Sequence, residues 1–569
     1  MKKKALSRLY ISIGIVCFFL LCFLWSRVFY FYSLFEKDAE QILIEVDNKG
    51  IFIQDVQQTF QNNILVTLYN GEKFILEDQD VASYYLDKTK WEASFSLENG
   101  KKILIKSIWE IWEYDVILNP YRNAPLSAEL HVEMPIEWKF SINVLWKWKN
   151  GIAIQHNFNT SSKKHILPIL GLYPDYKNQV KLSYFSTDGT LLTEKIIEIQ
   201  TEKIDEDESV DLHVLKNTLP NTYRGLYTFV DKPVLFDQNG EIRWYLHWKN
   251  FWKTYGQLKN GNILVESTKD KIFYHASSFS EITLTWKVIQ EYIVPKKFHH
   301  EIIEDQDRNF LILGSSQDFK TMADTVYRDD TIVKMERETG KIIYEFNLDT
   351  VLPGIRPSEL KVEEGPFPGW VTTGDWAHAN SLFLHGDNMI LSLRTPSMII
   401  SMNKDTFKLN WVFSREAENH DSTKNFALKI LNQSSDIRDY YYPLFQHSAF
   451  MLDNGNLVLF DNGTWRYSDN NSWIWDISRV VEYRINQEEK TAEMISQYVH
   501  PNKVYTAFAW NVKIPSPWYK LIGFTNSWKK DPNNIYPKLV EITDKWQTVL
   551  EIEDRKNLEY YRVDKIQLY

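Results

Sequence analysis

The 569-residue chain has two cysteines, Cys17 and Cys22, both inside one apolar stretch near its start. No disulfide can therefore brace the folded part, and thiolate metal sites are excluded. Basic patches with interleaved aromatics are missing, which excludes nucleic acid as a partner. Charge of one sign is scarce too: 65 Lys and Arg against 75 Asp and Glu leave a formal net charge of −10, mild for this length and indicative of no partner. Long amphipathic helical patterns are absent from the second part of the chain. What is abundant is aromatic, with 21 Trp and 31 Tyr among the 15% aromatic residues. Together with alternating β-branched and polar runs, this predicts an all-β protein.

The length exceeds one ordinary core, so two or more domains are expected. Residues 9–25 (LYISIGIVCFFLLCFLW) carry no charge and follow Lys2, Lys3, Lys4 and Arg8. They read as an N-terminal transmembrane helix with its amino end in the cytoplasm, a cleaved signal peptide being the rival. No small-x-small cleavage site follows, and 28–35 continues apolar, which favours an uncleaved anchor. The expectation is a single-pass cell-membrane protein with its bulk on the extracytoplasmic side. Residues 1–35 form the stub and anchor. Residues 36–205 read as a small β-sandwich, with hairpin turns at Asn70-Gly71, Asn99-Gly100, Asn150-Gly151 and Asp188-Gly189. The polar run TEKIDEDESVD at 201–211 reads as a solvated linker.

Residues 206–569 contain copies of one strand-turn-strand unit. His300 lies nine residues before Asn309, His447 nine before Asn456, and His378 ten before Asn388. A fourth copy, GQLKNGNILVES at 256–267, has the turn but no His. Repeats of this kind predict a β-propeller, in which equivalent positions face one another across a central channel, and the length of this part allows six blades. Three imidazoles would then meet at one mouth. His299 points to the opposite face of a regular strand, so register favours His300. His213, His247, His275, His385, His420 and His500 read as surface or structural. Asn380 follows His378 by two residues, and strand periodicity puts both side chains on one face. Arg394 sits in the apolar run MILSLRTPSMII, as a structural ion pair or an anion contact. Asp461, Asn462 and Gly463 read as a turn.

Three His, one Asn and one Arg can do group transfer without a cofactor. A neutral imidazole is a nucleophile, a second can carry a proton, and Arg and Asn can hold the oxygens of a transferring anionic group. Sulfuryl or phosphoryl transfer fits. A His₃ metal centre is the competing reading, disfavoured by the neighbouring guanidinium.

At these residues the chain resembles the bacterial arylsulfate sulfotransferases that use no nucleotide donor. The resemblance rests on DWAHANSLFLHGDNMILSLRTPSMIISMNKDTFKLNWVFS (375–414), YPLFQHSAFMLDNGNLVLFDNG (442–463) and FHHEIIEDQDRNFLILG (298–314). In the first domain it rests on NPYRNAPLSAEL (119–130) and LPILGLYPDYKNQV (167–180). It implies a propeller with a small β domain, frequently dimeric, and ping-pong transfer from an aryl sulfate donor to a phenol acceptor through a sulfohistidine. Carried over by motif, it makes His447 the nucleophile, His300 or His378 the acid/base, Asn380 and Arg394 the holders of sulfuryl oxygens, and His299 a substrate contact, with no metal or other cofactor. A non-catalytic propeller binding sulfated ligands or glycans is the alternative. The cysteine pair that family members carry near the site is absent.

Overall fold

The structure, a computed structural model, describes residues 114–569 except 188, 248–252, 268–274, 317–319, 323–324, 328–329, 356–375, 433–439, 465–477, 507–510, 517, 526–535 and 558, together with strands between 31 and 107. Every described element is a strand or a single 3-10 turn, so the all-β expectation holds. Among the described residues no helix is long and apolar enough to cross a membrane, and the expected anchor at 9–25 lies outside them.

The early strands make one five-stranded and one three-stranded sheet around Ile53, Ile64, Val66, Phe95 and Ile103. A second five-stranded antiparallel sheet follows, built on the long strands Ser127–Val144 and Ile154–Leu170. Its buried face, which includes Leu130, Ile142, Val180 and Leu182, also packs on Val234 and Tyr245 of the next part. Arg243 rivets the two parts together. Its guanidinium is buried against Asp237 at 3.1 Å and donates to the carbonyls of Gly171 and Ile152, each at 2.9 Å. The segment expected to be a solvated linker is partly packed: Glu208 is buried and pairs with His247 at 2.8 Å. A carboxylate flanked by a fixed imidazole can leave water where an isolated one could not.

Beyond residue 211 a four-stranded antiparallel unit recurs. The strands Ala379–His385, Asn388–Leu393, Met398–Asn403 and Leu409–Phe413 pair in chain order, as do the strands that begin at His447 and at Val512. The long strand Val288–Glu304 serves two units, closing one that starts at Thr254 and opening the next, which fuses them into one seven-stranded sheet. Tight turns with Gly261 (φ +87°) and Gly455 (φ +82°) join strands within units, as the Asn-Gly pairs predict.

Period-two alternation packs the units on one another. Leu457 and Leu459 face a cluster shared with Ile390, Ile399 and Trp411 of the preceding unit, whereas Val458 and Phe460 face Ile522, Phe524 and Val540 of the following one. The series is cyclic. Leu521, Leu539 and Ile552 of the last unit pack against Tyr227, Phe229 and Phe236 of the first. Two strand exchanges hold this junction: Leu212–Asn217 adds to the last sheet beside Thr548–Asp554, and Val563–Ile566 adds to the first beside Leu226–Phe229.

Candidate active site

The predicted histidines stand at the start of the first strand of their units, and in each case the ladder is interrupted there. Phe298 pairs with Gly314 and Ile302 with Ile312, so residues 299–301 stand opposite Leu313 alone. Asn380 is the extra residue between Ala379 and Ser381, and Ser448 and Ala449 share one partner position after His447. Bulges re-aim side chains and are common beside reactive sites. His300 (φ +56°), His378 (φ +47°) and Ser448 (φ +52°) adopt the left-handed backbone that non-glycine residues rarely hold. Each of the three strand starts thus holds one strained residue.

These bulges overturn two expectations drawn from regular alternation. His299 does not diverge from His300: their rings lie 4.9 Å apart and their Nδ1 atoms 2.7 Å apart. Nor does period two carry over from His378 to Asn380, because the positive φ and the inserted residue break it. Asn380 is fully buried and donates from Nδ2 to the carbonyl of Gln446, 2.8 Å away, on the segment leading into His447.

The structure does bring the predicted imidazoles together. His300 and His378 meet edge to face at 4.8 Å between ring centres, and both His378 and Arg394 act electrostatically on His447. His447 is buried, and its Nδ1 lies 2.8 Å from Asn462 Oδ1. Asn462 donates from Nδ2 to the Thr506 carbonyl at 3.2 Å, which sets the amide with its oxygen toward the ring. The imidazole therefore carries its proton on Nδ1, leaving the Nε2 lone pair available. Burial, and secondarily the Arg394 charge, hold His447 well below the ordinary histidine range; burial and the nearby His378 do the same for His300. Two neutral imidazoles result. Arg394 also lies over the Phe445 ring, 5.0 Å from its centre, and donates its backbone N–H to the His378 carbonyl at 3.2 Å.

Several site residues escaped the sequence reading. Asn462 is not merely part of a turn, and Asp461 beside it is a buried partner of Arg479 at 2.8 Å. His275, expected to be surface or structural, is buried and meets the His299 ring at 5.1 Å; His299 in turn reaches Asp330 at 3.3 Å. Arg562 is buried, pairs with Glu301 at 2.7 Å and donates to the Asn380 carbonyl. Tyr561 packs 5.5 Å from His300, and Lys253 sits 3.8 Å from the Tyr561 ring centre. Lys253 could have been found, because it precedes Asn262 by the same nine residues that separate His447 from Asn456. Asn462 and Arg562 carry no such signal.

Among the described residues, three side chains with metal-ligand atoms within 4.8 Å of one another occur at Asp205, Glu208 and His247. His300, His378 and His447 are not such a group in this structure.

A family model described as Arylsulfotransferase (ASST) matches residues 205–562, and one described as Arylsulfotransferase Ig-like domain matches residues 115–202. The Arylsulfate sulfotransferase AssT of Lelliottia amnigena is 22% identical over 482 residues, covering 67% of this chain and 79% of its own. The protein of the same name from Escherichia coli O6:H1 is 22% identical over 481 residues, with the same coverage. Among solved structures, a protein of unknown function from Bacteroides caccae is similar at a TM-score of 0.37 and 13% identity, covering 60% of this chain and 99% of that one.

Proposed function

From the premise that the chain belongs to the arylsulfotransferase family, we propose that it moves a sulfuryl group from a phenolic sulfate ester to a phenolic acceptor in two displacements through a sulfated His447. The observation that carries this reading is the buried, neutral His447 ring, whose Nδ1–H is fixed on Asn462. In the first displacement Nε2 forms a bond to sulfur as the ester S–O bond breaks, and the phenolate leaves with the bonding pair. Positive charge then develops on the ring, and the Asn462 oxygen accepting from Nδ1 stabilises it. In the second, the acceptor oxygen attacks sulfur, the N–S bond breaks and the pair returns to Nε2. The proton released by the acceptor equals the one taken up by the departing phenolate.

His300, kept neutral, is fitted to accept the acceptor's proton, with His378 beside it to pass it on. Arg394 is the residue we assign to the sulfuryl oxygens, since a guanidinium forks onto oxyanions. Asn380 acts at one remove, by holding the Gln446 carbonyl just before His447. The cyclic packing of units and the two strand exchanges support reading residues 206–569 as a six-bladed propeller, with 36–205 as a separate β domain. The uncharged run at 9–25 supports a membrane tether with the catalytic part outside the cytoplasm.

The test is turnover of 4-nitrophenyl sulfate with and without phenol. Release of nitrophenolate that needs phenol, lost in His447→Ala, is expected, together with a peptide containing His447 that gains the mass of one sulfuryl group when donor alone is supplied. Binding of sulfated ligands with no turnover would replace this reading by a binding role.

A further inference from the structure

Lys253 occupies in the fourth hairpin the place that His447 and His300 occupy in theirs. Besides the nine-residue spacing to Asn262, the strand Thr254–Gln257 carries a ladder irregularity between Thr254 and Gly256, directly after Lys253, as bulges directly follow His447 and accompany His300. The ammonium is thus delivered to the same end of its unit as the imidazoles. One ring lies between them: Tyr561 is 3.8 Å from Lys253 Nζ and 5.5 Å, centre to centre, from His300.

Three carboxylates are near enough to act on Lys253, and each is engaged elsewhere. Glu301 pairs with Arg562, Glu266 accepts from the Tyr255 hydroxyl at 2.7 Å, and Asp231 accepts from the Tyr561 backbone. Burial and, after it, the Arg562 charge lower the Lys253 pKa to about 8, against the opposing effect of those acids. Of the other facing groups, Tyr561 is pushed up to about 12, Tyr255 lies well above its ordinary value, and His300 is neutral. Lys253 is therefore the facing group that changes charge between pH 7 and 10.

We propose that Lys253 is a further anion-binding residue of this site, whose ammonium takes an oxygen of the sulfuryl group alongside Arg394. The assignment rests on the sulfotransferase reading for its ligand. An incoming anion stabilises the ammonium, so binding above the Lys253 pKa draws a proton from solvent. The two cations differ in kind: Arg394 is charged at every working pH, whereas Lys253 loses its charge above about pH 8 unless an anion holds its proton.

The experiment is calorimetric titration of the full chain with inorganic sulfate from pH 6.5 to 9.5, for the natural protein, Lys253→Met and Lys253→Arg. The natural protein should lose roughly tenfold in affinity per pH unit above about 8. Lys253→Met should bind weakly without that step; Lys253→Arg should bind well and also lack it, which guards against a misfolded Met variant. Equal affinity and an unchanged step in both variants, or no sulfate binding by the natural protein, would overturn the proposal. Turnover of 4-nitrophenyl sulfate separates the two readings. A Lys253-dependent step without turnover sinks the transferase and spares the anion site, whereas turnover with an indifferent Lys253→Met does the reverse.

Discussion

Asn462 grips His447: the amide oxygen sits 2.8 Å from Nδ1, and the amide nitrogen is committed to the Thr506 carbonyl, so the ring cannot take the other tautomer without losing a buried hydrogen bond. Asn462→Leu should leave His447 in place and release this constraint. A lost buried hydrogen bond is worth about 1–3 kcal/mol, which corresponds to roughly a five- to 150-fold fall in kcat. Asn462→Asp should raise the His447 pKa through its carboxylate and move the acid limb of the kcat/KM profile upward. Unchanged rates and an unshifted limb in both would remove Asn462 from the mechanism.

Arg394 lowers the His447 pKa after burial does. Arg394→Gln should therefore also shift the acid limb upward, while removing a charge from the transferring group. The loss of one such stabilising group is expected to cost about 10²–10³ in kcat. Steady-state kinetics across pH distinguish this from a packing defect, which would leave the limb where it was.

Stability should fall in acid for a defined reason. His300 and His447 have native pKa values depressed below the ordinary 6.5, so below that pH the unfolded chain binds protons that the native chain refuses. Their contribution is present above about pH 6.5 and is lost as pH falls toward their native values, by up to about 1.4 kcal/mol per pH unit for each ring. Denaturant midpoints at pH 7.5, 6.5 and 5.5 should drop along this course, and His300→Gln should flatten it. The same slope in that variant would contradict the assignment.

Arg479 and Asp461 are a fully buried pair directly before Asn462 in the fold, and Asp461 also accepts from the backbone of Leu444 and Gly463 at 2.9 and 3.1 Å. Arg479→Leu would strand the carboxylate and should cost about 3–5 kcal/mol. Chemical denaturation measures this directly. The double variant with Asp461→Asn should recover part of the loss, because the stranded charge goes with it.

The parts of the site that could be read from the sequence are those set by local periodicity. Asn454-Gly455 and Asn260-Gly261 gave the hairpins, and equal spacing to the following Asn placed His300 and His447 in register. What escaped were departures from regularity. Nothing local signals the bulges that turn His299 beside His300 or set Asn380 toward Gln446, since they depend on neighbouring strands. Arg562 is distant in the chain from Asn380 and Glu301, which it touches, and belongs to no hairpin repeat. Asn462 looked like turn chemistry because Asp-Asn-Gly is turn chemistry, and its second role exists only once His447 lies across from it.

The strand Val563–Ile566, which lies beside Leu226–Phe229, is synthesised after every other strand described here. Arg562, Tyr561 and the inner edge of the first unit therefore reach the histidines only after all other units exist. A growing polypeptide can fold most of its sheets as they emerge, but the first unit gains this partner strand, and the ring of units its closing contact, only when Val563–Ile566 pairs with Leu226–Phe229.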